Sequence, residues 1–253
     1  MRYGVLACLS ALALAGLPVA AAAEPTDLVI RVISEGGKYV GTSMGGAEII
    51  VRDVRSGEVL ARGRTAGSTG DTARIMTGGP RGTPLADEAS AAFRARIDID
   101  EPRLVEVEAF GPLAQPQAAV RVTAQRWIVP GRPVTGDGWV LELPGLVVDL
   151  VEPAAHQRGA AGASVRLAAN VALMCGCPIE PGGIWDAARY DVRATIRRDG
   201  QPADEVRLSY GGRTGYFAGT FPADKAGAYV VTVTAMDSKT GATGVDATSI
   251  LIP

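Results

Sequence analysis

Alternation of apolar and polar residues with a period of two runs through most of the chain. Its clearest instance sets Phe93, Ala95, Ile97 and Ile99 against Arg94, Arg96, Asp98 and Asp100, which predicts a strand with one buried and one solvated face. Pro102 closes that strand, and residues 104–110 resume the pattern with Glu106 and Glu108 outward. Earlier, residues 28–33 form a compact apolar strand. A Gly/Ser-rich loop over 36–46 then leads into a hairpin, 47–54 and 59–63 joined through Arg55-Ser56-Gly57-Glu58. Residues 64–90 show no periodicity and read as a solvated insertion. Strands at 120–128, with Trp127, and at 139–143, with Trp139, complete this half. The tryptophans are expected to anchor a core or a domain interface.

The second half repeats the pattern. Val165, Leu167, Ala169, Val171 and Leu173 alternate with Arg166, Ala168, Asn170, Ala172 and Met174. Tyr190, Val192, Ala194 and Ile196 alternate with Asp191, Arg193, Thr195 and Arg197, and Arg198-Asp199-Gly200-Gln201 makes a hairpin turn. Further strands at 205–210, 216–221 and 229–235 are separated by glycine-bearing turns, and the last strand ends at Ile252. Strands repeating at about 8–12 residues are the pattern of an immunoglobulin-like sandwich. A short strand at 146–150 and a small-residue linker lie between the halves. The predicted fold is all-β, with two tandem antiparallel β-sandwich domains over 24–150 and 151–253, after a cleaved signal peptide over 1–23.

That leader rests on Met1-Arg2-Tyr3, an apolar run from Gly4, and Ala21-Ala22-Ala23 before Glu24-Pro25. A basic start, an apolar middle and a small-residue cleavage site describe a secretory signal. No later run approaches the ~20 apolar residues of a membrane span. The expected location is periplasmic or secreted, with no transmembrane segment after cleavage. Formal charge is −2 from 25 Lys+Arg and 27 Asp+Glu, mixed along the chain, so no basic patch recruits nucleic acid. His156 is the only histidine, which argues against zinc catalysis built on histidines and against a Ser-His-Asp triad. With no nucleophile elbow or phosphate loop either, a non-catalytic protein is expected.

Chemistry concentrates in Met174-Cys175-Gly176-Cys177-Pro178, followed by Pro181-Gly182-Gly183 and Trp185. Cys8 leaves with the leader, so Cys175 and Cys177 are the only thiols of the mature chain. In a continuing strand they share a face, with α-carbons roughly 6.5–7 Å apart, at the limit for an unstrained disulfide. Three readings stay open. Two adjacent thiolates suit a soft ion, most plausibly Cu(I), with ligands Cys175 and Cys177, Met174 as a thioether and His156 as a distant candidate. Strand parity, however, turns Met174 to the opposite face. Alternatively Gly176 bends the chain and allows a small-ring, readily reduced disulfide for thiol redox work. Or the pair is structural, in an envelope protein that binds an unknown protein partner.

Two resemblances bear on this. The run Gly46-Ala47-Glu48-Ile49-Ile50-Val51-Arg52-Asp53 through Arg62-Gly63-Arg64-Thr65 resembles the opening of transthyretin-like domains, as in carboxypeptidase regulatory modules, and implies a seven-stranded sandwich with a binding or scaffold role. The second half, from Tyr190 through Asp199-Gly200, Gly219-Thr220-Phe221 and Gly227-Ala228-Tyr229, is similar to bacterial immunoglobulin-like modules, including the YtkA/FixH-like domains. Tyr229 looks like the tyrosine at the corner of such sandwiches. Some relatives of that kind are associated with copper handling, which the resemblance extends to this chain as an expectation.

Overall fold

A computed structural model describes residues 23–80 and 82–253; apart from Ala23, the expected leader lies outside the described residues. Seven strands build the first sandwich: β1 (Glu24–Ser34), β2 (Glu48–Asp53), β3 (Val59–Arg64), β4 (Phe93–Ile99), β5 (Arg103–Gly111), β6 (Val120–Ile128) and β7 (Val134–Leu143). One sheet is ordered β4-β1-β7 and the other β3-β2-β5-β6. Their facing sides bury Leu28, Ile30, Val32, Ile49, Val51, Val105, Val107 and Leu141. Each such side chain removed from water contributes about 1.5–3 kcal/mol before chain entropy is subtracted. The alternation predicted for 93–99 is present, with Arg94, Arg96 and Asp98 exposed and Arg96 bonded to Asp27 across the strand pair.

The second sandwich is one eight-stranded sheet folded on itself, in the order β8-β10-β13-β12-β11-β14-β15-β9. The strands are β8 (Leu146–Glu152), β9 (Gln157–Arg158), β10 (Ala163–Leu173), β11 (Tyr190–Arg198), β12 (Gln201–Tyr210), β13 (Tyr216–Ala223), β14 (Gly227–Asp237) and β15 (Thr243–Ile252). β12 meets β13 only at Ser209↔Ala218 and Tyr210↔Phe217, so the sheet turns a corner there and closes over Leu167, Val171, Val192, Ile196, Val231 and Val233. At the predicted hairpin, Asp199 (φ 50) and Gly200 (φ 80) both take the left-handed conformation that a two-residue turn of the right twist requires. The Tyr229 hydroxyl donates to Lys225 O at 2.7 Å, four residues upstream, the bond that defines a tyrosine corner.

Four expectations need correction. Pairing is not uniformly antiparallel: β1 runs parallel to β7, and β15 runs parallel to β9. The strand at 146–152, grouped by sequence with the first domain, pairs with β10, while its Val147 side chain belongs to the first core. Trp127 is 59% exposed, because it opposes Leu104 on the outer side of the sheet while Ile128 takes the buried position.

The stretch 64–90 is the fourth, and only in part: residues 77–80 and 82–84 are exposed as expected, while Thr65, Ala86 and Ser90 are buried and tie its ends into the fold. A short helix, α1 (Thr72–Thr77), is capped by Asp71 accepting from Arg74 N. Asp137 accepts from Leu85 N and Ala86 N at 3.1 and 2.8 Å. Arg31, buried on β1, donates to Ser90 O and Ala91 O and stacks 5.5 Å from the Tyr39 ring. No helix among the described residues is long and apolar enough to cross a membrane.

Candidate functional site at the inter-sandwich junction

β10 ends at Leu173, and strand parity carries one residue further. Met174 turns into the first sandwich's core beside Val147, while Leu173, Cys175 and Cys177 join the second core. Gly176 then takes φ 71, a left-handed turn that an L side chain would strain, and its N–H bonds back to Leu173 O at 2.8 Å. The bend draws the cysteine α-carbons to 5.3 Å, and the two sulfurs are joined as a disulfide.

The disulfide lies under the first sandwich. Cys175 and Cys177 are each 2% exposed. Lys38 N, in the turn that follows β1, donates to Cys175 Sγ at 3.5 Å. A β-carbon on Gly37 would lie 2.9 Å from Leu173 Cδ2 and 3.0 Å from Cys175 Sγ, so glycine is what lets this turn reach the sulfur. On the other side, a β-carbon on Gly176 would lie 2.7 Å from Met44 Sδ. Trp185 closes the junction, donating from Nε1 to Gly36 O at 2.8 Å.

The surrounding loops are tied down by charge. Asp237, almost fully buried, accepts from Arg189 Nη2 at 2.6 Å and from Lys239 N at 2.9 Å. Arg189 also donates from Nη1 to Ile184 O at 3.2 Å, which fixes the loop that carries Trp185. Glu35 accepts from Gly145 N at 3.2 Å where the chain passes between the sandwiches. Lys38 Nζ donates to Thr72 Oγ1 at 2.9 Å, and Met76 of α1 packs against the second core. The junction therefore joins the β1 turn, α1, the cysteine segment and the β14–β15 turn.

The proposed metal donors are not gathered here. Met174 faces the other core, as parity required. His156 is exposed, with φ 58, and its Nδ1 lies 3.4 Å from Ser249 Oγ beside β15. A disulfide presents no thiolate, and a buried one gives an exchange partner no access. So the set Cys175, Cys177, Met174 and His156 does not fit Cu(I) as arranged. Among the described residues no group of three or more His, Cys, Asp or Glu side chains is disposed to hold a metal. Sequence reading missed Met44 and the Gly36-Gly37 turn. The glycine pair was the available signal, since adjacent glycines often mark a close backbone approach.

Tyr190 lies at the edge of this region with a buried hydroxyl that has no hydrogen-bond partner among the described residues. Burial, reinforced by nearby Asp237, pushes it up to about 12. The folded state thus resists ionisation that the unfolded chain undergoes near pH 10. Stability from this group is complete below about 10 and is lost as pH rises through about 12, roughly 2–3 kcal/mol in all. Tyr190→Phe is expected to flatten that alkaline decline in denaturant melts, with neutral-pH stability unchanged or slightly raised. An undiminished decline would assign it to another group.

No protein-family model matches this chain, and no curated protein matches it. Among solved structures it is similar to an engineered protein, at 21% identity and a TM-score of 0.33 over 50% of this chain; it spans 24% of that protein's length. It is also similar to the fibronectin(III)-like modules of Clostridium thermocellum CbhA, at 10% identity and TM-score 0.28 over 82% of this chain and 78% of that one. A third similarity is to titin domains z1z2, solved in complex with telethonin, at 13% identity and TM-score 0.27 over 92% and 96%. Likeness at this level adds nothing to what the strand pairing shows.

Proposed function

We propose that this chain is an exported, non-catalytic scaffold whose two sandwiches are fixed to each other around a buried disulfide and offer their surfaces to a protein partner in the cell envelope. One observation carries the reading: the Cys175 and Cys177 sulfurs are bonded to each other, 2% exposed, beneath a turn of the other sandwich. In that position the pair stiffens the exit from β10 and supplies an acceptor to Lys38 N. The leader pattern of residues 1–23 and a disulfide, which persists in oxidising compartments, support a periplasmic or secreted location. The Tyr229 corner supports the immunoglobulin-like reading of the second half, and with it the resemblance to YtkA/FixH-like domains. Replacing Cys175 and Cys177 together with alanine is expected to lower stability by about 2 kcal/mol, since closing so short a loop contributes little entropy, and to leave both sandwiches folded by circular dichroism.

One observation favours a second reading, Cu(I) capture by the reduced pair: the Met44 thioether abuts Gly176, between the two cysteines, and could take the place first given to Met174. Titration with Cu(I) against a competing chelator separates the two. The scaffold reading expects no binding by the oxidised chain and only weak binding by the reduced one. Tight one-to-one binding by the reduced chain, lost in Met44→Leu and kept in Met174→Leu, would replace it with the copper reading.

A further inference from the structure

The sheet β3-β2-β5-β6 ends on β6, and no strand pairs with its far side. Among the described residues, the backbone of 120–128 bonds to no turn or loop either. All nine residues of β6 run in unbroken register with β5, without proline, glycine or bulge. Proteins usually blunt such an edge, because its free N–H and C=O groups are a template for another extended chain. The other edges of this chain are blunted. β4 turns Arg94, Arg96 and Asp98 outward, and β3 is shifted in register against β2. β7 is interrupted by Gly136 and Gly138, both left-handed, and β9 is two residues long. On β8, Leu150 N and Val148 O are taken by the side chains of Asp246 and Gln117. Among the described strands, β6 alone is an edge that is long, regular and open.

In the antiparallel sense β6 is complementary to itself. Pairing all nine residues about a twofold axis places Ala124 against Ala124 of the second copy. Val120 then opposes Ile128, and Thr123 opposes Gln125, apolar against apolar and hydroxyl against amide. Arg126 opposes Val122, where its methylene stem covers the valine and its charge reaches water. Arg121 opposes Trp127, whose side chain is 59% exposed in the single chain. The Arg121 guanidinium already rests 5.1 Å from the Phe110 ring and is bonded to Glu108. An indole from the second copy closes its open side as a cation–π contact. No like charges meet in this register. A shift of one residue sets the outer face of one strand against the inner face of the other. A shift of two leaves either Trp127 and Ile128 or Val120 and Arg121 without partners.

We propose that two copies of this chain associate through β6, joining their β3-β2-β5-β6 sheets into one continuous sheet across a twofold axis. Nine paired residues extend about 30 Å and add about eight to ten backbone hydrogen bonds, close to the number in a specific interface. The side-chain register, and not the open edge alone, selects a second copy. A foreign strand would have to supply both an aromatic ring for Arg121 and a cation for Trp127 at the matching spacing. A strand edge buries less area than a standard interface, so the expected dimer is weak, with a Kd on the order of 10 µM.

Sedimentation equilibrium of the mature chain, from low to high micromolar, tests this, with the wild type expected to pass from monomer to dimer. Trp127→Lys sets a like charge against Arg121 and is expected to raise the Kd about tenfold or more, whereas Trp127→Glu sets an opposite charge there and is expected to keep it within about threefold. Ala124→Cys is expected to give a covalent dimer under mild oxidation, because opposed α-carbons in an antiparallel pair lie about 4.5–5.5 Å apart. Gln125→Cys, which faces Thr123 instead, is expected not to. A chain that stays monomeric throughout would overturn the proposal. So would a dimer indifferent to Trp127→Lys or weakened equally by lysine and glutamate, or one linked by Gln125→Cys and not by Ala124→Cys. Gln125 and Trp127 are exposed and Ala124 is half-buried, so circular dichroism should show each variant folded.

Discussion

Gly37→Val is expected to destabilise the chain by about 2–3 kcal/mol and to loosen the contact between the sandwiches. The substitution drives a branched side chain into a gap where even a β-carbon would meet Leu173 Cδ2 at 2.9 Å and Cys175 Sγ at 3.0 Å. Neither neighbour can yield freely, because Leu173 belongs to the second core and Cys175 is tied to Cys177. Overpacking of this order costs about 1–3 kcal/mol, more where the backbone is held. Loss of the close approach also removes the bond from Lys38 N to Cys175 Sγ and draws Gly36 O away from Trp185. Chemical denaturation measures the stability change, and small-angle scattering measures any separation of the sandwiches. Gly183→Ala, where a β-carbon meets its nearest neighbour at an ordinary 3.4 Å, is the control and should change neither.

Asp237→Ala is expected to cost about 3 kcal/mol, the lower end for breaking a buried ion pair. The carboxylate is buried while the Arg189 side chain stays 23% exposed, so the charge left behind is only partly desolvated. Arg189 also holds the Trp185 loop through Ile184 O, and the Asp237 carboxylate caps Lys239 N in the β14–β15 turn. Asp237→Asn keeps an acceptor for Lys239 N and is expected to recover part of the loss. Equal stability for the alanine variant and the wild type would mean that the pair is not load-carrying and that the junction is held by apolar packing alone.

Much of the scaffold was legible in the chain because each strand faces a dry core on one side and water on the other. The β4 alternation and the Asp199-Gly200 turn are local facts, and local facts survive folding. Parity also located Met174 on the face opposite the cysteines without any tertiary information. What the sequence withheld is set by distant partners. Arg31 looks like a solvated strand residue until Ser90, Ala91 and Tyr39 surround it. The stretch 64–90 lacks periodicity because its order comes from side-chain bonds such as Asp137 to Ala86 N rather than from a repeating face. The strand at 146–152 is apolar enough to suit either sandwich, and only its pairing with β10 assigns it.

The cysteine segment shows the same division. Shared facing of Cys175 and Cys177 followed from spacing, and the freedom of Gly176 allowed their joining as one of three readings without choosing it. Their burial did not, because the covering turn lies more than 130 residues away, at Lys38. A rim position would have left two sulfurs open to an ion or an exchange partner. Under the Gly36-Gly37 turn they become part of the joint between two folded bodies, and the segment's role changes from reagent to fastening.

Mass spectrometry after exposure to an alkylating reagent in denaturant, without any reductant, tests that role most directly. The mature chain should take up no label until a reductant is added, and then two labels, one on Cys175 and one on Cys177. Two labels without reductant would mean that the sulfurs are free in the native protein, and the fastening described here would not exist.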